Sequence, residues 1–241
     1  MDIDETNVMK RLKDSVPLIQ GINLNEEHKK IWNNQLELSK LKIWIDPLDG
    51  TKEYTLGYVQ YVTSLLGIAV DNNSQYGVIH KPFGGHDKEK QETYLGGKGL
   101  GVMKYEDSKV INLPPFTDKG VDDVTLLVTR SHYNESTERM IKAVKPSKAL
   151  KVGGAGNKIL EVIVGEGNCY IYPSKGLKLW DVCAGEALIK SLNGYISDSL
   201  GKPIAYGGDH YVKGLIMARN EDLFNKLLKD LQGIPELKSL F

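Results

Sequence analysis

The chain has 241 residues, 31 basic and 31 acidic side chains and a 41% hydrophobic share, which is enough for a sizeable folded core and excludes a disordered polar chain. Because its formal net charge is zero, the chain lacks the positive excess that binds a phosphate backbone, and we expect no nucleic-acid polymer as a partner. The longest apolar runs are far shorter than a membrane span and the N-terminus is acidic, so the sequence predicts a soluble protein with no membrane segment and no targeting signal.

The first half of the chain predicts a polar segment followed mainly by strands. Its first forty residues are polar and show no core stripe. Residues 84–109 are rich in glycine and charge, which favours a surface hairpin over a cofactor loop. The β-branched content and the turn residues place the other elements. These are a strand at 43–45, a turn at 46–50, a buried strand at 59–70, a hairpin turn at 71–74 and a returning strand at 76–80.

The second half predicts strands that alternate with helices, which is typical of an α/β fold. The predicted strands are 124–128, 151–152, 169–172 and 214–218, and the predicted helices follow Ser131, span 157–164, follow Asp181 and span 222–231. Asp181 is expected to cap its helix, since apolar residues recur after it at helical spacing and Gly194 follows the last of them.

Cysteine and histidine usage excludes several large enzyme classes. Cys169 and Cys183 are too few for a disulfide framework or a zinc cage. We expect both to be buried small hydrophobic residues, and the sequence leaves a single bridge between them open. The five histidines have no His-Glu-x-x-His spacing, and the chain has neither a Gly-x-Ser-x-Gly elbow nor a phosphate loop ending in Gly-Lys-Ser/Thr.

The segment Trp44–Thr51 carries the strongest chemical signal, because it places Asp46 and Asp49 three residues apart in a turn that leaves an apolar strand. Neighbouring carboxylates repel each other unless a cation neutralises them. Pro47 stiffens the turn, Gly50 lets the backbone approach a ligand, and the carbonyl between the aspartates adds a hard oxygen donor. The set suits Mg²⁺, while an ordinary Asp-Pro turn with a helix cap is the alternative.

Two further segments offer groups of the same kind. Asp181 lies at a strand-to-helix junction, where ligands gather in α/β sheets, although its role as a helix cap explains it equally. The stretch 153–158 joins a glycine loop, a helix start and the cation of Lys158. These are the ingredients of an anion site and also of a plain turn.

Taken together, these motifs resemble a known family. Asp46-Pro-Leu-Asp-Gly-Thr and Trp180-Asp-Val-Cys-Ala-Gly are similar to motifs of the lithium-sensitive, Mg²⁺-dependent phosphatases of the inositol monophosphatase superfamily. The resemblance is closest to the 3'(2'),5'-bisphosphate nucleotidases, particularly their Golgi-resident PAP phosphatase branch, and runs from about Leu41 to the C-terminus. The motifs that carry this closer likeness are Lys52-Glu-Tyr-Thr, Gly77-Val-Ile-His-Lys-Pro-Phe, Thr129-Arg-Ser-His and Gly153-Gly-Ala-Gly-Asn-Lys.

The resemblance implies a layered α-β-α-β-α sugar-phosphatase fold with its N-terminal helices truncated. It further implies one compact catalytic unit of two halves. Residues 1–120 would form a metal-binding α+β half, and residues 121–241 an α/β half with the nucleotide-binding loops.

The same resemblance assigns roles to individual residues. The implied metal ligands are Asp46, the Leu48 carbonyl, Asp49, Asp181 and, further upstream, Glu5. Thr51 matches the threonine that orients the attacking water and is the implied catalytic residue. The implied substrate contacts are Thr51, Thr129, His132, Gly154, Lys158 and Asp181. His132 taken by itself would be an ordinary loop histidine.

The resemblance is incomplete at the N-terminus. Family members carry an upstream aspartate that acts with the threonine on the water, and this chain has no counterpart at the expected position. Glu5 lies nearest to the expected place of a metal-bridging carboxylate, whereas the pair Glu26-Glu27 lies too close to Asp46. Solvated surface charge explains either pair equally well.

The expected function is Mg²⁺-dependent removal of the 3'-phosphate of adenosine 3',5'-bisphosphate, which gives AMP and phosphate. Two alternatives are kept: a nucleotide- or metal-binding protein that has lost hydrolysis, and an inositol monophosphatase. The expected partner is a small nucleotide bisphosphate. The sequence leaves a homodimer open, and it leaves the compartment open between the Golgi lumen of the nearest branch and the cytoplasm.

Overall fold

The computed structural model describes residues 37–84 and 90–234. These residues form two β-sheets and two pairs of helices in alternating layers. The layered α/β fold that the sequence predicts is therefore confirmed in this part of the chain. Glu5 and nearly all of the polar first forty residues lie outside the described residues, so the predicted truncation of the N-terminal helices stays a prediction.

The first sheet is an antiparallel meander in which each strand pairs with the next one in sequence. Its strands are β1 (Leu41–Asp49), β2 (Thr63–Val70), β3 (Asn73–Lys81), β4 (Glu92–Gly97), β5 (Gly101–Glu106) and β6 (Lys109–Leu113). A short helix, α1 (Thr51–Thr55), follows β1 directly. Asp71 and Asn72 turn the β2–β3 hairpin with φ of 49° and 62°, which short polar side chains tolerate best after glycine.

The second sheet has the strand order β10-β11-β9-β7-β8, with β7 parallel to both β8 and β9 and the other pairs antiparallel. Its strands are β7 (Thr125–Thr129), β8 (Lys148–Val152), β9 (Cys169–Lys178), β10 (Tyr195–Ser197) and β11 (Tyr211–Ala218). The helices of this half are α2 (Glu135–Val144), α3 (Ala155–Val164), α4 (Leu179–Ser191) and α5 (Glu221–Gln232). The predicted division at residue 120 falls between the two sheets and stays a prediction.

The sequence of each helix reflects the layer in which it lies. Asn134 caps α2 and Asn220 caps α5, and each of these helices buries one apolar face against the outer side of the second sheet. The helix α4 lies between the two sheets, so it carries buried apolar and small residues on all of its sides.

Two glycines let α4 lie directly on the first sheet. Gly67 and Gly77 are opposite each other on β2 and β3. A Cβ atom at Gly67 would lie 2.6 Å from the Cys183 side chain, and one at Gly77 would lie 2.2 Å from the Ala184 carbonyl oxygen. Any side chain at these two positions would push the helix away from the sheet.

Several local predictions are confirmed and others are wrong. Both cysteines are buried and free. The strand predicted from residue 59 begins only at Thr63, because 59–61 forms a 3-10 turn. Asp181 is not the cap of α4. It is the third residue of that helix, since Lys178 is the cap and donates its backbone N–H to the Asp181 carboxylate at 2.7 Å.

Candidate functional site

A bulge at the end of β1 brings Asp46 and Asp49 together. Successive side chains of a regular strand point to opposite faces, so residues three apart would diverge. Here Asp46 is opposite Leu65 and Asp49 is opposite Thr63, so that three steps along β1 match two along β2. Pro47 lies inside this irregularity and has no N–H to give to a neighbouring strand. The bulge therefore turns both carboxylates to the same side.

Asp49 is held in place by three hydrogen bonds. The backbone amides of Ala155 and Gly156 donate to its two oxygens at 3.1 and 2.8 Å, and the Thr63 hydroxyl donates at 2.8 Å. The two amides belong to the first turn of α3, where unpaired N–H groups favour a negative charge. A carboxylate from the first sheet thus caps a helix of the second half and is fixed in orientation.

Asp181 completes the cluster from the start of α4. One carboxylate oxygen each from Asp46, Asp49 and Asp181 lies within 4.8 Å of the other two. Burial, opposed by the Lys178 hydrogen bond and reinforced by the two neighbouring aspartates, raises the pKa of Asp181 to about 7. Burial and then Asp49 raise the pKa of Asp46. Negative charge at this point is costly for the protein alone, and a cation would remove the cost.

The composition of this cluster fits a hard divalent cation. The grouped ligand atoms are all carboxylate oxygens, and the Leu48 carbonyl between the two β1 aspartates is a further oxygen donor. Oxygen-only sites of this kind suit Mg²⁺ or a similar ion. The residues present therefore fit the metal that the sequence predicts, and the choice of magnesium stays a prediction.

Thr51 lies beside the cluster at the start of α1. Its hydroxyl donates to the Leu48 carbonyl at 3.0 Å, and the residue is exposed. Because the hydrogen points toward Leu48, the lone pairs of the hydroxyl oxygen remain available to accept a hydrogen bond from another group. This arrangement is compatible with the water-orienting role that the sequence implies.

The helix α1 is tied to the loop that follows β7. Lys52 donates to the Ser131 carbonyl at 2.9 Å. The Arg130 guanidinium lies 3.9 Å from a Glu53 carboxylate oxygen and 3.7 Å from the centre of the Tyr58 ring. These contacts place the loop that carries His132 next to the acidic cluster.

The glycine loop before α3 is packed tightly. A Cβ at Gly153 would lie 2.4 Å from Glu53 Cγ, and one at Gly154, whose φ is 66°, would lie 2.3 Å from the Tyr61 carbonyl oxygen. Lys158 is buried and donates to the carbonyls of Gly154 and Val152. Burial lowers the pKa of Lys158 to about 8, against the opposing effect of nearby acidic groups.

One cavity of 650 Å³ unites the predicted residues. All of them except Glu5, which lies outside the described residues, line its wall. They are Asp46, Leu48, Asp49, Thr51, Thr129, His132, Gly154, Lys158 and Asp181. Thr129 is buried and accepts a hydrogen bond from the His132 backbone at 3.3 Å, while His132 itself is exposed. The sequence therefore selects residues from both halves of the chain that the fold brings to one place.

Other residues of the cavity wall were missed by the sequence reasoning. Tyr170, Tyr172, Lys175 and Trp180 line the cavity together with Glu53. Strand alternation along 169–172 would have placed Tyr170 and Tyr172 on one face. The sequence itself gives no signal that this face meets the acidic cluster.

The comparison with known proteins gives the chain a family. The sequence pattern described as the inositol monophosphatase family matches residues 5–236. The human protein named 3'(2'),5'-bisphosphate nucleotidase 1 is 38% identical over 173 residues, which are 70% of this chain and 53% of that protein. Inositol monophosphatase 3 of Danio rerio is 32% identical over 204 residues, which are 82% of this chain and 55% of that protein. The chain spans about half the length of the curated relatives it matches.

Solved structures show the same fold at low identity. Inositol monophosphatase II from Staphylococcus aureus is 20% identical with a TM-score of 0.66, over 86% of this chain and 73% of that one. The inositol monophosphatase from Anabaena is 22% identical with a TM-score of 0.66, over 86% of this chain and 77% of that one. No helix among the described residues is long and apolar enough to cross a membrane. The layered fold, the acidic cluster and a family pattern over most of the sequence lead to one conclusion, that this chain belongs to the inositol monophosphatase family.

Proposed function

We propose that the chain is a Mg²⁺-dependent phosphatase that removes the 3'-phosphate of adenosine 3',5'-bisphosphate and releases AMP and inorganic phosphate. The observation that carries this proposal is the group of three aspartates within 4.8 Å of one another on the wall of an open polar cavity. Such a group holds the cations that phosphate-ester hydrolysis uses.

The charges of the cavity wall support a substrate with more than one anionic group. Lys52, Lys158 and Lys175 line the cavity in addition to the aspartates. A cation at the aspartates would attract the phosphate that is to be cleaved, and the lysines favour a second phosphate on the same molecule. The nucleotidase-like motifs and the relatives named as bisphosphate nucleotidases support adenosine 3',5'-bisphosphate in particular.

In this proposal each residue has a defined task. Asp46, Asp49, Asp181 and the Leu48 carbonyl hold the metal, which when bound makes water a stronger nucleophile and stabilises the leaving oxygen. The three hydrogen bonds to Asp49 fix one ligand before the metal arrives. Thr51 accepts a hydrogen bond from the attacking water and so orients it.

The residues away from the metal bind the rest of the substrate. We assign the sugar, the base and the second phosphate to Thr129, His132, Gly154 and Lys158. Hydrolysis consumes one water, whose oxygen joins the released phosphate and one of whose protons ends on the ester oxygen of the nucleotide. The exposed position of His132 leaves its ring free to contact a ligand.

The test is phosphate release by the purified chain from adenosine 3',5'-bisphosphate, measured with Mg²⁺, with EDTA, and with Mg²⁺ plus Li⁺. We expect release that requires Mg²⁺ and falls with Li⁺, and no release from AMP. A preference for inositol 1-phosphate in the same assay would replace the proposed substrate by an inositol phosphate. Nucleotide binding without release would make the chain a binding protein. Either result contradicts the proposal.

A further inference from the structure

Tyr170 is an exception among the buried tyrosines. It lies in β9, is fully buried and lines the cavity. Its hydroxyl has no hydrogen-bond partner among the described parts of the chain. The two other fully buried tyrosines have one, since Tyr94 donates to Glu92 and Tyr206 donates to Glu186. A buried hydroxyl without a partner carries a free-energy cost and is rare in folded proteins.

The position of Tyr170 is fixed by the fold. It lies in the middle of the second sheet, opposite Leu127 of β7 on one side and Met217 of β11 on the other. Its ring belongs to the main hydrophobic core, and Lys158 Nζ lies 5.2 Å from the ring centre. A ring held in this way cannot move its hydroxyl far in search of an acceptor, so an acceptor has to come to the hydroxyl.

The hydroxyl is also a hydrogen-bond donor under all ordinary conditions. Burial, then Tyr172, Asp49 and Asp181, raise the pKa of Tyr170 well above its usual value, so its proton stays in place. Tyr170 lines the same cavity as Asp49 and Asp181, so these carboxylates are the acceptors to compare. Asp49 already accepts three hydrogen bonds. Asp181 accepts one from the Lys178 backbone and, in the metal-free site, donates one to Asp46. A cation that replaces that proton would leave Asp181 with more capacity than Asp49 to accept another hydrogen bond.

We propose that Tyr170 is a positioning residue whose hydroxyl donates a hydrogen bond to Asp181 when a divalent cation occupies the acidic cluster. The proposal rests on the proposed function in one respect, that these aspartates bind a cation. Groups that hydrogen-bond to metal-binding carboxylates orient them, and their loss typically weakens metal binding about 10- to 100-fold. The unpaired hydroxyl would be the part of the metal site that is prepared before the ion arrives.

The substitution Tyr170→Phe tests this, because it removes only the hydroxyl. In EDTA we expect its melting temperature to equal or exceed that of the wild-type chain, since no hydrogen bond is lost. In a Mg²⁺ titration followed by tryptophan fluorescence, to which Trp180 in the cavity wall beside Asp181 contributes, we expect a Kd about tenfold higher. A merely structural role of the ring would not weaken Mg²⁺ binding while the metal-free stability is preserved.

Tyr94→Phe is the matched control. It removes a hydroxyl that is bonded to Glu92 at 3.2 Å in the first sheet, so we expect a melting temperature lower by about 2–6 °C with an unchanged Mg²⁺ Kd. An unchanged Kd in Tyr170→Phe would overturn the proposal. A loss of metal-free stability as large as that of the control would do the same, and so would a wild-type chain that does not bind Mg²⁺.

The proposed function can fail independently of this inference. If the wild-type chain binds Mg²⁺ but releases no phosphate from the nucleotide, the function fails, while the comparison of the two Kd values still decides the role of Tyr170.

Discussion

Asp46 and Asp49 are proposed to bind the same cation, but the structure predicts that only Asp49 also stabilises the fold. Asp49 accepts hydrogen bonds from two amides of α3 and from Thr63. Asp46 accepts from one amide, that of Leu48, at 3.0 Å. An asparagine at position 46 keeps that bond through its amide oxygen. An asparagine at position 49 turns its NH₂ group toward at least one of the donors that the carboxylate had satisfied.

The size of the difference follows from these bonds. A lost hydrogen bond to a charged group costs about 1.5–3 kcal/mol. Either substitution also removes one negative charge from the same cluster, so the relief of repulsion is similar in both and largely cancels in the comparison. We therefore expect metal-free Asp49→Asn to be less stable than metal-free Asp46→Asn by about 2 kcal/mol, which is about 4–8 °C in melting temperature for a chain of this size.

Thermal or urea unfolding of the two variants in EDTA measures this difference directly. Phosphate release with Mg²⁺ supplies the second readout. Both variants should lose several kcal/mol of transition-state stabilisation, which corresponds to a rate at least about a hundredfold lower. Equal stability of the two variants would refute the role assigned to the α3 amides. A normal rate in either variant would instead refute the metal assignment.

Two further predictions concern the charge of the cluster and the packing behind it. In EDTA, the free energy of unfolding should fall as the pH rises from 4 to about 7, because folded Asp181 keeps its proton up to a pKa of about 7 while the unfolded chain loses it near pH 4. Urea unfolding at several pH values measures this fall, and saturating Mg²⁺ should remove it. A metal-free stability that does not change with pH contradicts the prediction. Gly77→Ala should cost about 1–3 kcal/mol and weaken Mg²⁺ binding, because its Cβ would lie 2.2 Å from the Ala184 carbonyl of the helix that carries Asp181. Gly208→Ala, with no atom within 4 Å of its Cβ, is the control, and a Gly77→Ala variant as stable and as tightly binding as this control would refute the packing argument.

The elements that the sequence predicts are those with strong local patterns. The β2–β3 hairpin has a polar turn between two apolar runs, and α5 repeats leucines on one face. Two strands were missed for physical reasons. The edge strand β6 is largely exposed and has no buried side to create an alternating pattern, and β10 has only three residues. The pairing of β10 with β11 depends on residues 216–218, which no local pattern around β10 reveals.

The site shows a similar division between local and distant information. Motifs indicate Asp46, Asp49 and Asp181, yet a spacing of three along a regular strand would separate the first two. Only the register of β1 against β2 shows the bulge that turns them to one side. The unpaired hydroxyl of Tyr170 has no sequence signal at all, because a missing partner is a property of the folded surroundings.

The two walls of the cavity differ in how firmly the fold determines them. The acidic wall is fixed by backbone features: a bulge, the amides of α3 and the close contact of α4 with the first sheet. Another part of the wall, the loop at 130–133, is joined to α1 through the side chains of Lys52, which is exposed, and Arg130, which is partly buried. The exposed Lys52 contact contributes little to stability. Loss of Arg130 would cost more, because its partner Glu53 is buried and would lose its nearest cation. Residues 131–133 can therefore change at smaller cost to the fold than Asp49, whose three hydrogen bonds hold β1 to β2 and to α3.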